Sequence, residues 1–174
     1  MGNLILVGFM GTGKSAVGRM LAKRLKRPFL DLDEKIEKEA GCSVPEIFSK
    51  EGEAGFRRRE AEAVRKVSRL KDHVIATGGG VMLNERNVDA LKKSGTLVCL
   101  TARPDVIFQR MMATISSRPL LAEGNPKRRI EELLKLREPF YARADIAIET
   151  SDRSIEAVVG EIAAQLEQRD KGST

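Results

Sequence analysis

Residues 8–15 read Gly-Phe-Met-Gly-Thr-Gly-Lys-Ser, a complete match to the phosphate-binding loop pattern Gly-x4-Gly-Lys-Ser/Thr. The pattern belongs between a buried strand and a helix, and the flanking residues fit both. Leu4 to Val7 is a short apolar run, and beyond the loop Val17, Met20, Leu21 and Leu25 recur at helical spacing. Gly8, Gly11 and Gly13 let the chain curl and aim successive N–H groups inward, while a helix beginning near Lys14 presents its positive end. Gly11, Thr12, Gly13, Lys14, Ser15 and Ala16 are therefore the candidate contacts to ATP. Lys14 brings an ammonium to the β- and γ-phosphates, and Ser15 offers its hydroxyl to Mg2+.

The rest of the composition narrows what such a loop serves. A chain of 174 residues suggests one domain. No apolar stretch is long enough to cross a bilayer, and no signal peptide is expected before the first strand. Cys42 and Cys99 are far apart and in no metal or redox spacing, so a cytoplasmic location is expected. The net charge of +6 suits anionic ligands. With one Tyr, no Trp and no dense basic block, no nucleic-acid platform is evident. The single histidine, His73, excludes a histidine-rich metal site and makes a serine triad improbable.

Apolar runs and amphipathic stretches alternate along the chain. Strands are expected at Leu4 to Val7, Phe29 to Leu32, Val74 to Thr77, Thr96 to Leu100 and Ile146 to Ile148. Helices are expected at about 15–26, 34–40, 45–50, 55–70, 85–93, 104–112, 127–141 and 154–167. This alternation predicts an α/β fold, a five-stranded parallel sheet with helices on both faces and ligands beyond the carboxyl ends of the strands. One kinase-like domain is expected over 1–168. It carries a helical insertion at about 33–61, where Ser43, Pro45 and Glu46 form a helix start. A polar, poorly periodic lid is expected at about 113–126, and a flexible tail at 169–174.

The loops after the strands hold the candidates for chemistry. Asp31 and Asp33 close the second strand; strand alternation predicts both side chains on one face, about 7 Å apart at Cα. One can support Mg2+ through water and the other can reach an acceptor hydroxyl; the alternative is a pair of helix N-terminal acids. No acid occupies the position after the third strand where many phosphate-loop ATPases place a metal-binding Asp, which favours Asp31 as its substitute. Gly78, Gly79 and Gly80 suggest close approach of a ligand to the backbone. Arg57, Arg118 and Arg137 are the basic candidates. Helical spacing lets Glu60 orient Arg57, Arg118 lies in the lid, and two guanidinium groups can grip a carboxylate.

These motifs, in this order and spacing, resemble the shikimate kinase family. They are residues 8–15, Asp31-Leu-Asp33, Gly55-Phe-Arg57, Gly78-Gly-Gly80, Arg118-Pro-Leu-Leu121 and Arg137 followed by Tyr141. The resemblance runs from Leu4 to about Leu166 and implies Mg2+-dependent transfer of the γ-phosphoryl group of ATP to the 3-hydroxyl of shikimate, a step toward aromatic amino acids. It implies that Lys14, Asp33 and Arg118 are catalytic and that Ser15 and Asp31 serve the metal. Asp33, Arg57, Arg137, Gly79, Gly80, Phe48 and Phe56 would hold shikimate; Arg110, Arg118 and Arg153 would join the ATP contacts. The expected partners are these two small molecules, with no nucleic acid, no membrane and no second subunit. Leu32 stands where the family often has a small polar residue. The rival expectations are another small-molecule kinase, such as one acting on gluconate, and a noncatalytic nucleotide-dependent switch.

Overall fold

The computed structural model describes residues 2–121 and 123–172. Five strands, β1 (Asn3–Val7), β2 (Phe29–Asp31), β3 (Val74–Ala76), β4 (Gly95–Thr101) and β5 (Ile146–Glu149), pair in parallel in the order β2-β3-β1-β4-β5. Central β1 is buried along its whole length, because a parallel sheet is covered on both faces. Its period of two divides the core. Leu4 and Leu6 pack on one face with Val17, Leu21, Val158 and Ile162; Ile5 and Val7 pack on the other with Leu32, Ile36, Val64 and Ile107.

The described residues form seven α-helices, the first six between strands and the last after β5: α1 (Lys14–Leu25), α2 (Leu32–Ala40), α3 (Val44–Val67), α4 (Glu85–Ser94), α5 (Pro104–Met111), α6 (Pro126–Tyr141) and α7 (Ile155–Gly172). α7 covers residues 169–172, which the sequence assigned to a tail; Ser173 and Thr174 lie outside the described residues. The segment read as an irregular lid contains two short 3-10 helices, Met112–Ser117 and Pro119–Leu121, and Leu121 is fully buried beneath it; Ala122 lies outside the described residues.

One local expectation fails for an instructive reason. β2 stops at Asp31, and Leu32 opens α2 instead of ending the strand. The Asp31 carboxylate caps that helix, accepting from the N–H groups of Asp33 (3.0 Å) and Glu34 (3.3 Å). Asp33 therefore stands in the first helical turn, and the two acids are related by a capped helix start, not by strand alternation. Leu32 points into the core, where an apolar side chain fits.

The insertion between β2 and β3 consists of α2 and a bent α3. Ser43 and Glu46 form the expected capping box, with Ser43 N donating to Glu46 Oε2 at 2.7 Å. The two helices predicted at 45–50 and 55–70 meet end to end at Gly52, whose φ of 70° and ψ of 179° interrupt α3. Only glycine adopts that backbone region readily. The bend folds the first half of α3 toward the carboxyl ends of the strands.

Candidate active site

Two adjoining cavities open at the carboxyl edge of the sheet. The first, of about 220 Å³, is floored by the phosphate loop. Gly13 takes a left-handed conformation (φ 95°) and the helix begins at the next residue, so α1 points its N-terminal amides into this space. A side chain at Gly8 would place Cβ 2.2 Å from the Leu100 carbonyl oxygen of the neighbouring strand, which explains why the loop starts with glycine. Lys14 is buried, and its Nζ donates to the carbonyls of Gly8 and Phe9, both at 2.8 Å. Burial pulls its pKa down to about 8, opposed chiefly by the attraction of Asp33. Ser15 Oγ donates to Asp31 Oδ2 at 2.5 Å. A hydroxyl and a carboxylate in contact beside a phosphate cradle are hard oxygen donors of the kind Mg2+ takes together with substrate phosphates.

The second cavity, of about 290 Å³, lies under the insertion. Phe48 and Phe56 face each other across the bend in α3 with ring centres 4.9 Å apart, giving it an apolar wall. Arg57 donates to Glu60 Oε1 at 3.0 Å and to Glu53 at 3.2 Å. The guanidinium of Arg137 is buried, stacks over Phe9 at 5.5 Å, and donates to the Gly79 carbonyl at 3.3 Å. The glycine run needs no left-handed backbone; its constraint is proximity. A Cβ on Gly80 would sit 2.5 Å from both terminal nitrogens of Arg57, and one on Gly79 would sit 3.1 Å from Met10 N.

Met10, Asp33, Gly78, Gly79 and Arg118 line both cavities and form their common boundary. Asp33 loses most of its hydration there. That desolvation, reinforced by Asp31, pushes its pKa up to about 6 against the pull of Lys14 and Arg118. Asp33 Oδ1 is buried with no hydrogen-bond partner among the described residues. The Arg118 side chain makes no hydrogen bond or ion pair among the described residues, which leaves its five N–H donors available at the boundary.

The family model for shikimate kinase matches residues 10–167. A shikimate kinase of Caldanaerobacter subterraneus subsp. tengcongensis is 53% identical over 162 residues, covering 93% of this chain and 94% of that protein. One from Thermodesulfovibrio yellowstonii is 47% identical over 174 residues, with full coverage of both. Among solved structures, a shikimate kinase from Acinetobacter baumannii in complex with shikimate superposes with a TM-score of 0.93 at 39% identity, covering 97% of this chain and 94% of that one.

The chain belongs to the shikimate kinase family.

Members of this family are ATP-dependent kinases, and the parallel sheet with its phosphate loop is their fold. Of the residues singled out from sequence, Lys14, Ser15, Ala16, Asp31, Asp33, Gly11, Gly13 and Arg118 surround the phosphate cavity, and Asp33, Phe48, Phe56, Arg57, Gly79, Gly80, Arg118 and Arg137 surround the second. Arg110 and Arg153 stand apart from both. With Thr12 they line a separate cleft of about 250 Å³ behind the loop, against α7. Arg110 holds the Thr150 carbonyl (2.8 Å) and the Gly11 carbonyl (3.3 Å), and Arg153 pairs with Glu161 at 2.5 Å.

Sequence reasoning assigned no role to two supporting groups, Tyr141 and Thr150. The Tyr141 hydroxyl donates to the Gly79 carbonyl at 2.6 Å, so that oxygen is held from α6 by both Tyr141 and Arg137. Buried Thr150 accepts from Arg110 at 3.0 Å and lies 3.1 Å from the Thr12 carbonyl, bracing the phosphate loop from β5. A lone hydroxyl after a strand carries no pattern that marks it. Tyr141, as the only tyrosine, four residues after Arg137 on one helical face, was the more legible of the two.

Proposed function

We propose that this chain transfers the γ-phosphoryl group of ATP to the 3-hydroxyl of shikimate, yielding shikimate 3-phosphate and ADP, with Mg2+ held at Ser15 and Asp31. The single observation that carries this reading is the shared boundary. A phosphate cradle and a cavity bearing the Arg57 and Arg137 guanidinium groups adjoin at Asp33 and Arg118, which supports donor and acceptor lying side by side.

In this reading the loop amides and Lys14 hold the β- and γ-phosphates, and Lys14 leaves its two carbonyl partners to do so. When bound, Mg2+ neutralises charge on those phosphates. Arg57 and Arg137 grip the shikimate carboxylate, Phe48 and Phe56 wall the ring, and the backbone at Gly79 and Gly80 faces its hydroxyls. Asp33 accepts the proton of the 3-hydroxyl as that oxygen bonds to phosphorus and ADP departs. A carboxylate with a pKa near 6 is deprotonated at neutral pH yet basic enough to share that proton. Arg118 spreads positive charge over the transferring oxygens. The segment around Ser117 to Leu120 lines the acceptor cavity, which supports its action as a lid. Arg110 and Arg153, lining the cleft behind the loop, flank adenine.

In this reading the chain acts as a monomer on two small-molecule substrates, with no nucleic acid, and each cavity is of a size for a small molecule. Among the described residues no helix is long and apolar enough to cross a membrane, and the two cysteines are free thiols; both suit a cytoplasmic enzyme. ADP release measured with and without shikimate, with gluconate and AMP as controls, tests the proposal. The expected result is turnover dependent on shikimate alone; no shikimate-dependent rate would refute it.

A further inference from the structure

The bend in α3 carries a feature that the reaction chemistry does not use. Gly52 separates a first half that gives the acceptor cavity Val44, Pro45 and Phe48 from a second half that gives it Phe56, Arg57 and Glu60. Glu51, the last residue before the bend, sends its side chain back over Gly55, where a Cβ would sit only 2.3 Å from that of Glu51. It ends in a bidentate pair with Arg59, eight residues on. Arg59 Nε lies 3.1 Å from both carboxylate oxygens and Nη2 lies 2.7 Å from Oε1. Neither residue lines the cavity, and each side chain is more than a third exposed, at 39% for Arg59 and 34% for Glu51. An ion pair this exposed adds little to overall stability. Its two-pronged geometry instead fixes one angle between the helix halves.

We propose that Glu51 and Arg59 clasp the bend at Gly52 and so set the width of the acceptor cavity, making both positioning residues for shikimate. The argument is geometric and rests on the functional reading above. Phe48 lies four residues before Gly52, about 6 Å along the helix, so a rotation of ~10° at the bend moves it by about 1 Å. Phe48 packs on Phe56, and Arg57 follows directly in sequence. Releasing the clasp therefore spreads the aromatic wall and the carboxylate grip together. The phosphate loop, on the other side of the boundary, is untouched.

The test is a double-mutant cycle with Glu51→Ala and Arg59→Ala, plus Arg59→Lys, on the full chain. Shikimate and ATP binding are followed by calorimetry, and KM is measured for each. Each single alanine variant is expected to raise the Kd and KM for shikimate roughly 5-fold, with the double variant no worse than either single one. The lysine variant should recover part of the loss, and KM for ATP should not move. Amide exchange across residues 44–51 should quicken in Arg59→Ala while residues 8–15 stay as protected as before. Unchanged shikimate affinity in both singles, multiplicative effects in the double, or equal losses for ATP and shikimate would each overturn the clasp. Absence of shikimate-dependent turnover in the unaltered protein would instead overturn the proposed function. The amide-exchange comparison needs no ligand and would still decide the clasp: unchanged exchange at residues 44–51 refutes it.

Discussion

Asp33 and Glu60 turn carboxylate oxygens toward the same glycine. A Cβ on Gly78 would lie 3.0 Å from Asp33 Oδ1 and 3.1 Å from Glu60 Oε2, and both oxygens are buried without a hydrogen-bond partner among the described residues. Burial raises the pKa of each, and the like charge of Asp33 raises that of Glu60 further. Glu60 is compensated through its other oxygen, which accepts from Arg57. Asp33 has no such bond from a side chain. An orphaned buried acceptor is costly, and an alcohol entering the cavity removes that cost by donating to it. In the proposed reaction that donor is the 3-hydroxyl of shikimate.

Asp33→Asn is expected to lower kcat by about 10²- to 10⁴-fold, the usual worth of a positioned base, while calorimetry still shows ATP binding. The same variant should be more stable at neutral pH. The folded pKa of about 6 exceeds the unfolded value near 3.8, so the folded state holds more protons between those limits and stability falls as pH rises through them. Removing the charge should raise stability at pH 7.5 by up to about 3 kcal/mol, and the advantage should vanish below about pH 4. Thermal melts at the two pH values check this. A variant with near-normal turnover would remove Asp33 from the chemistry.

The pH dependence of kcat/KM for ATP should be bell-shaped. Its acid limb follows Asp33, which must be ionised, and falls below about pH 6. Its alkaline limb follows Lys14, which burial leaves with a pKa of about 8 before phosphate arrives. In the kcat profile the alkaline limb should move upward, because bound phosphates favour the ammonium form. A flat profile from pH 5 to 9 would contradict both assignments.

The phosphate loop, the parallel sheet and the grouping of acids and arginines were legible because each rests on local pattern: an apolar run, glycine spacing, or motif order. Asp31-Leu32-Asp33 shows where local pattern fails. Three residues cannot say whether the chain is still extended or already helical; the decision comes from the Asp31 cap and from Leu32 finding core space. The bend at Gly52 was equally hidden. The sequence showed a gap between two helices, but the overlap of Phe48 with Phe56 depends on the angle at which they meet. Arg110 is braced by Thr150 and by the Gly11 carbonyl, both distant in sequence, contacts that no spacing rule reveals.

Arg137→Lys should raise KM for shikimate by 10-fold or more and leave KM for ATP unchanged. Lysine keeps the charge but loses the planar fork needed to bind a carboxylate while also holding the Gly79 carbonyl. Tyr141 retains its own bond to that carbonyl, so the glycine turn should keep its place and the loss should fall on substrate affinity. Unchanged shikimate KM would mean that the carboxylate is held elsewhere.

Gly80→Ala separates proximity from backbone freedom. Gly80 has φ −104° and ψ 4°, which alanine accepts, so the main chain gives no reason for glycine. The reason is Arg57, whose terminal nitrogens lie 2.5 Å from where the methyl group would be. An arginine end is flexible enough to move aside, so the fold should survive with a melting temperature within a few degrees of the parent. The displaced guanidinium, however, stretches its 3.0 Å bond to Glu60 and leaves the carboxylate grip. KM for shikimate should therefore rise about 10-fold or more, a loss of about 1.4 kcal/mol in substrate binding, with ATP affinity unchanged. If the variant binds shikimate normally, the contact between Gly80 and Arg57 has no part in recognition.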